Sequence, residues 1–164
     1  MVTATDERST GNRWVEIPND VSNGMQVLEA IVLELRLAGY ESRQIGQVEL
    51  AYTEALTNAV RHGNQDDPQK IVIIEYRIDQ SEFRLAIEDE GQGFDPRDID
   101  DPTQPEHLVR PGGRGLLLIR SLVETVEFSP RGNRIVIRLS RKIRSAAGID
   151  SWDGFPIRPS GRTD

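Results

Sequence analysis

Two pairs of β-rich segments constrain the fold of this chain more than any other feature of its sequence. Residues 70–78 and 82–89 are separated by three polar residues, and residues 126–129 and 134–139 flank the turn-forming sequence PRGN at 130–133. Branched and aromatic residues on both sides of a short turn are typical of β-hairpins. Since hairpin strands run antiparallel, the sequence predicts a mostly antiparallel sheet.

Three further segments repeat apolar residues at the spacing of helices. Their predicted limits are Asp20 or Ser22 to Gly39, Ser42 to residues 62–64, and Gly113 to Thr125. Residues 13–18 are predicted to form a short edge strand before them. The order of these elements predicts a two-layer α/β sandwich, of the α+β type, in which a mixed, mostly antiparallel sheet has its helices on one face.

The length and composition are those of one globular domain. A chain of 164 residues, 37% hydrophobic and 29% charged, is long enough for a single core. We expect that domain at residues 13–144, with a flexible polar tail at 1–12 and another at 145–164. The chain has no cysteine and a net charge of −7, and no apolar run is long enough to span a membrane. These features favour a soluble, cytoplasmic protein without direct nucleic-acid or membrane binding.

Glu54 and Asn58 form the first motif that suggests a site. They are four residues apart on the second predicted helix, so their side chains point to the same place. Small neighbours, Ala51 and Ala55, leave room beside them for a bound molecule. Taken alone, the pair is more typical of a solvated helix face.

A second motif follows the first hairpin. Asp89 ends an apolar strand, and Gly91 and Gly93 come directly after it. Glycine allows the backbone to approach a flat ligand closely, and a carboxylate at a strand end can accept a hydrogen bond from an exocyclic amine such as that of adenine. On its own, the motif favours an ordinary tight turn, because D-x-G is common in hairpins.

A glycine-rich sequence, GGRG at residues 112–115, opens the third predicted helix. Backbone N–H groups at the N-terminus of a helix suit a phosphate group, and Arg114 adds positive charge. The alternative is a flexible connection. The preceding residues, 94–112, contain several prolines and aspartates and few apolar residues, which is typical of a mobile lid.

In order and spacing, these motifs resemble those of the GHKL superfamily of ATPases, which share the Bergerat fold and include gyrase, histidine kinases and the anti-sigma-factor serine kinases. The superfamily's E-x-x-x-N, D-x-G-x-G and glycine-rich lid hinge match Glu54–Asn58, Asp89–Gly93 and the sequence GGRGLLLIRSL. The resemblance covers roughly residues 13–140. Two sequences, TEALTNA around the first motif and GRGLLLIRSL in the third, are most similar to those of the anti-sigma factor serine/threonine-protein kinases.

The resemblance implies a site for ATP and Mg²⁺. Glu54 would orient or deprotonate the attacking hydroxyl of a partner serine or threonine, Asn58 would bind Mg²⁺ through its amide oxygen, and Asp89 would accept from the adenine amino group. The remaining implied contacts are made by residues of the two glycine motifs: Gly91 and Gly93 against the base, and Gly113, Arg114 and Gly115 at the phosphates. The role of His62, four residues after Asn58, is left open.

Three functions are compatible with this pattern. The first is an ATP-dependent serine/threonine kinase that phosphorylates a STAS-type anti-anti-sigma protein and also binds a sigma factor or related regulator, so that it acts by partner switching. The second is a nucleotide-gated binding module without protein kinase activity. The third is an interaction domain that has lost the ability to bind ATP. The intact motifs argue against this third function. The resemblance also implies a possible homodimer.

Overall fold

The computed structural model describes residues 3–6, 11–96 and 113–142. The elements in chain order are β1 Thr3–Asp6, β2 Arg13–Pro18, α1 Val21–Leu37, α2 Ser42–Thr57, a π-helix at Asn58–Gly63, β3 Ile71–Ile78, β4 Glu82–Asp89, α3 Gly113–Leu122, β5 Thr125–Phe128 and β6 Arg134–Ser140. Among the described residues, no helix combines the length and the apolar character needed to cross a membrane.

The six strands form one sheet in the order β1-β2-β3-β4-β6-β5. Every neighbouring pair is antiparallel, including the two predicted hairpins β3-β4 and β5-β6. The predicted two-layer sandwich is therefore confirmed, while the mixed character of the sheet is not seen among the described strands.

β1 was not predicted. It lies within the segment for which the sequence predicted a polar tail, and it pairs with β2 from Thr3 opposite Glu16 to Asp6 opposite Arg13. The predicted edge strand, β2, therefore has a neighbour on both sides. Pairing of backbone groups at the edge of a sheet does not require the apolar alternation on which the prediction relied.

The core lies between one face of the sheet and the helices. Along β3 and β4 the buried side chains fall in register on the same face, with Ile74 opposite Ile87 and Tyr76 opposite Leu85. The helices contribute the apolar residues at the predicted spacing: Leu28, Ile31 and Leu35 from α1, and Val48, Tyr52 and Leu56 from α2. This face-to-face packing fixes how α2 crosses the sheet.

The ends of the two long helices agree largely with the sequence. Asp20 caps α1 by accepting a hydrogen bond from the Ser22 backbone N–H at 2.8 Å, and Gly39 ends the helix with a φ of +79°. The predicted cap of α2 is off by one residue, because Ser42 is the first helical residue and Glu41 precedes it. The Glu41 N–H donates to the Gln44 side chain at 3.5 Å.

The opposite face of the sheet carries a network of charged residues. The Glu75 carboxylate accepts hydrogen bonds from Arg134 and, at 3.2 Å, from Arg84, and Arg134 also pairs with Glu88 at 3.0 Å. Burial acts to raise the pKa of Glu75, but the hydrogen bonds and charges of Arg134 and then Arg84 outweigh it and lower this pKa. On the face opposite the helices, these charged side chains are thus paired with one another.

Candidate functional site

The first predicted motif lies where α2 changes into the π-helix. Glu54 is in the last turn of α2 and Asn58 begins the π-helix, and both side chains are half-buried. A π-helix contains one residue more per hydrogen-bonded turn than an α-helix, and such turns occur frequently at functional sites. The sequence predicted the end of this helix correctly, but not its wider last turn.

The start of α3 packs directly against this motif. A Cβ atom built on Gly115 would lie 2.6 Å from Glu54 Oε2 and 3.5 Å from Asn58 Nδ2. Only glycine fits there without displacing the carboxylate, so the first and third predicted motifs meet at this point. Within the described part of the chain, the Glu54 carboxylate has no hydrogen bond or ion pair.

The second motif is placed by the register of the sheet. Asp89 lies opposite Val72, a residue of the helix-facing side, so the carboxylate is directed toward the end of the π-helix. A Cβ atom on Gly63 would lie 2.2 Å from Asp89 Cγ, and one on Gly91 would lie 2.1 Å from the Gly63 carbonyl oxygen. Gly63 is therefore part of the site, although the sequence predicts it only as the end of a helix.

The electrostatics of Asp89 are dominated by its burial. Burial raises the pKa of the carboxyl, and the hydrogen bond from the Gly91 N–H, at 2.8 Å to Oδ1, and the positive charge of Lys70 offset part of this increase. The second carboxylate oxygen, Oδ2, accepts no hydrogen bond from the described residues. One oxygen is thus fixed by the protein and the other is available to a donor.

The turn between β5 and β6 supports the Asp89 loop from the other side. Asn133 makes two hydrogen bonds to the backbone of Asp89. The Asp89 N–H donates to the Asn133 carbonyl at 2.9 Å, and the Asn133 side chain donates through Nδ2 to the Asp89 carbonyl at 2.8 Å. The Arg131 guanidinium donates to the Gly91 carbonyl at 2.9 Å. Gly93 has a φ of +73°, and a Cβ atom there would lie 2.0 Å from the Arg131 carbonyl oxygen.

The predicted residues differ in how fully the structure describes them. It brings Glu54, Asn58 and Gly115 together at one end of the π-helix, and Asp89 and Gly91 at the other. Gly113 and Arg114 lie in the first turn of α3, where the structure does not describe their side-chain environment. Gly112 and most of the predicted lid, residues 97–112, fall outside the described residues. His62 is exposed on the π-helix.

Four residues of the site were missed by the sequence analysis: Gly63, Asn64, Arg131 and Asn133. Gly63 and Asn64 fall within the predicted end of the second helix, where the local sequence indicates only a helix terminus. Arg131 and Asn133 had been assigned only to a turn. Their contacts to the Asp89 loop span 40 and 44 residues of sequence.

The amide oxygen of Asn58 is a donor of the type that a magnesium ion takes. Mg²⁺ prefers oxygen ligands and is usually held by one or two side chains together with the phosphates of a substrate. The Asn58 side chain, next to the N-terminus of α3, is one such ligand, and the Glu54 carboxylate beside it is left for the attacking hydroxyl. The described residues include no group of three or more histidine or acidic side chains placed around a common metal position.

Residues 17–139 match the family described as histidine kinase-like ATPase domain. The chain is 32% identical over 88 residues to the anti-sigma F factor of Halalkalibacterium halodurans, a match that covers 51% of this chain and only 59% of that protein. It is 31% identical over 111 residues to the serine-protein kinase RsbW of Oceanobacillus iheyensis, covering 64% of this chain and 70% of that protein. The RsbW of Listeria monocytogenes is 29% identical over 120 residues, covering 68% and 73%.

Proposed function

The chain belongs to the family of histidine kinase-like ATPase domains, and from this premise we propose that it binds ATP with Mg²⁺ and acts as a serine/threonine kinase on a STAS-type anti-anti-sigma protein. It also binds a sigma factor or a related regulator and releases it by partner switching. The names of its relatives, anti-sigma F factor and serine-protein kinase, support both parts of the proposal. Control of a sigma factor implies a cytoplasmic location, and the family resemblance implies a homodimer.

The observation that carries the proposal is the convergence of the three motifs on the π-helix. Asp89 lies against Gly63 at one end of that helix, and Gly115 lies against Glu54 and Asn58 at the other. An elongated ligand with an amine-bearing base at one end and phosphates at the other fits this arrangement. We place the adenine at Asp89 and the triphosphate beside the N-terminus of α3.

Adenine recognition would depend on the free oxygen of Asp89. Oδ1 is held by the Gly91 N–H, so Oδ2 accepts from the exocyclic amine of the base. Asn133 and Arg131 keep the backbone of the loop in place while this contact forms. Phosphate binding would use the N–H groups at the start of α3, where the helix dipole favours negative charge.

Phosphoryl transfer would depend on Glu54 and Asn58. ATP would supply the γ-phosphoryl group, whose bond to the β-phosphate oxygen breaks so that ADP leaves, and Mg²⁺ would neutralise the charge on the phosphates. Asn58 would hold the ion through its amide oxygen. The Glu54 carboxylate, which no described residue engages, would accept the proton of the attacking serine or threonine hydroxyl and keep that oxygen directed at the phosphorus.

Transfer of labelled phosphate from ATP to the STAS proteins of the same genome tests this function. Glu54→Gln should retain ATP binding and lower the rate by about 10²–10⁴-fold, the usual contribution of a general base. Glu49→Gln, at an exposed position of the same helix, is the matched control and should transfer at the wild-type rate.

Two outcomes would change the proposal. If the wild-type protein binds ATP but labels no STAS protein, the chain is a nucleotide-gated binding module. If Glu54→Gln and the wild type label equally, the kinase activity stands and Glu54 has no part in it.

A further inference from the structure

Asn64 is the most completely buried polar residue near the site, with 0% of its surface exposed. Its side chain makes three hydrogen bonds. Oδ1 accepts from the Glu90 N–H at 2.8 Å, and Nδ2 donates to the Ile71 carbonyl at 2.8 Å and to Asn19 Oδ1 at 3.1 Å. Both amide hydrogens and the amide oxygen are therefore used, and no other side chain of this size could replace all three bonds.

The three partners belong to three separate segments. Glu90 directly follows Asp89, Ile71 is the first residue of β3, and Asn19 lies between β2 and α1. The backbone of Asn64 adds a fourth connection, since its N–H donates to the Ala59 carbonyl at 2.8 Å and closes the π-helix. Asn64 thus joins the helix that carries Asn58 to the loop that carries Asp89.

Two neighbouring contacts strengthen this junction. The Glu90 carboxylate accepts from the Ile71 N–H at 2.7 Å, and Lys70 Nζ donates to the Asn64 carbonyl at 3.4 Å. The loop and the start of β3 are therefore tied both through Asn64 and directly. Gly63 and Gly91 pack so closely around Asp89 that a small shift of the loop would move its carboxylate.

We propose that Asn64 is a positioning residue for nucleotide binding. Its carboxamide sets the distance between the Asp89 loop and the π-helix, and so between the base and phosphate ends of the site. This inference rests on the proposed ATP-binding function, but its structural part, the fixing of the Asp89 loop, holds in the absence of any nucleotide.

Gln44 offers a matched control for a purely structural role. It is also a buried amide, 2% exposed, and its Nε2 donates to the Ser140 carbonyl at 2.8 Å. It lies in the first turn of α2, at the opposite end of that helix from Glu54 and Asn58. Asn64→Leu and Gln44→Leu each remove a buried amide and leave its partners unpaired, so both should lower stability. Only Asn64→Leu should disturb the site.

The first measurement is backbone amide hydrogen exchange by NMR without nucleotide. The informative group is the Gly91 N–H, which bonds to Asp89 and not to Asn64. Its exchange should become at least about tenfold faster in Asn64→Leu and stay near the wild-type rate in Gln44→Leu. Equal Gly91 exchange rates in the two variants would show that Asn64 has only a structural role and would overturn the proposal.

The second measurement is ATP affinity and, in the phosphotransfer assay, the separation of KM from kcat. Asn64→Leu should weaken ATP binding about tenfold and raise KM with little change in kcat, while Gln44→Leu should leave both constants unchanged. Unchanged ATP affinity in folded Asn64→Leu would also refute the proposal. If that variant does not fold, Asn64→Ser replaces it under the same criteria. Failure of the wild type to bind ATP would refute the proposed function, and the Gly91 exchange rates would still decide the role of Asn64.

Discussion

Asp89 shows how much of the site depends on the environment of one residue. Its backbone is fixed on both sides by Asn133, one carboxylate oxygen is fixed by Gly91, and burial raises its pKa. A carboxylate that has lost part of its hydration forms a strong hydrogen bond to any donor that reaches it. The free oxygen is therefore suited to recognising an amine in a fixed position.

Asp89→Asn should weaken ATP binding by roughly 10- to 100-fold. The change keeps the shape of the side chain but converts one acceptor into a donor, and a hydrogen bond to a charged group contributes about 1.5–3 kcal/mol. Glu88→Gln is the control, since Glu88 pairs with Arg134 on the other face of the sheet and should leave ATP affinity unchanged. Calorimetric titration with ATP compares the two. Equal affinities for Asp89→Asn and the wild type would remove Asp89 from base recognition.

At the scale of elements, the close contact between α1 and α2 depends on a small residue. A Cβ atom on Gly24 would lie 2.4 Å from Leu56 Cδ2, and the Tyr52 hydroxyl donates to the Gly24 carbonyl at 2.7 Å. The helices therefore pack closely at Gly24, at the level of the helical turn that carries Glu54. Gly46, in contrast, lies within α2 with no atom within 4 Å of its Cβ position.

Substituting these two helical glycines by alanine should have opposite effects on stability. Gly46→Ala should stabilise the protein by about 0.5–1 kcal/mol, because alanine loses less conformational entropy in a helix. Gly24→Ala should destabilise it by roughly 1–2 kcal/mol, because its methyl group overlaps buried Leu56 and overpacking outweighs the gain in helix propensity. Urea denaturation gives both free energies of unfolding. A stabilising Gly24→Ala would contradict the close helix contact.

The elements themselves were largely predictable from the sequence, and the exceptions have a physical cause. The apolar spacing in α1 and α2 and the turns of both hairpins depend on local sequence, and these predictions were confirmed. The π-helix was not predicted, because its wider turn is stabilised by contacts of Gly63 and Asn64 with distant segments. β1 was not predicted because a strand of four residues at the edge of the sheet, with the sequence TATD, has no apolar alternation.

At the scale of the whole molecule, the sheet and the helices bring together motifs that are far apart in the sequence. The residue types and spacing of Glu54, Asn58 and Asp89 were enough to select them as candidates. Asn64 and Asn133 could not be selected, because their bonds to the Asp89 loop span 26 and 44 residues and exist only after the strands have paired. The sequence therefore indicates the residues that would contact a ligand more readily than it indicates the residues that hold those side chains in place.

Binding of ATP together with Mg²⁺ by this arrangement is the requirement on which the proposed function depends. Its most direct test is calorimetric titration of the wild type and Asn58→Ala with ATP, each with and without Mg²⁺. We expect the wild type to bind ATP more tightly with Mg²⁺, and Asn58→Ala to lose this dependence on the metal because its amide ligand is gone. Absence of ATP binding by the folded wild type in the presence of Mg²⁺ would rule out the proposed ATP site.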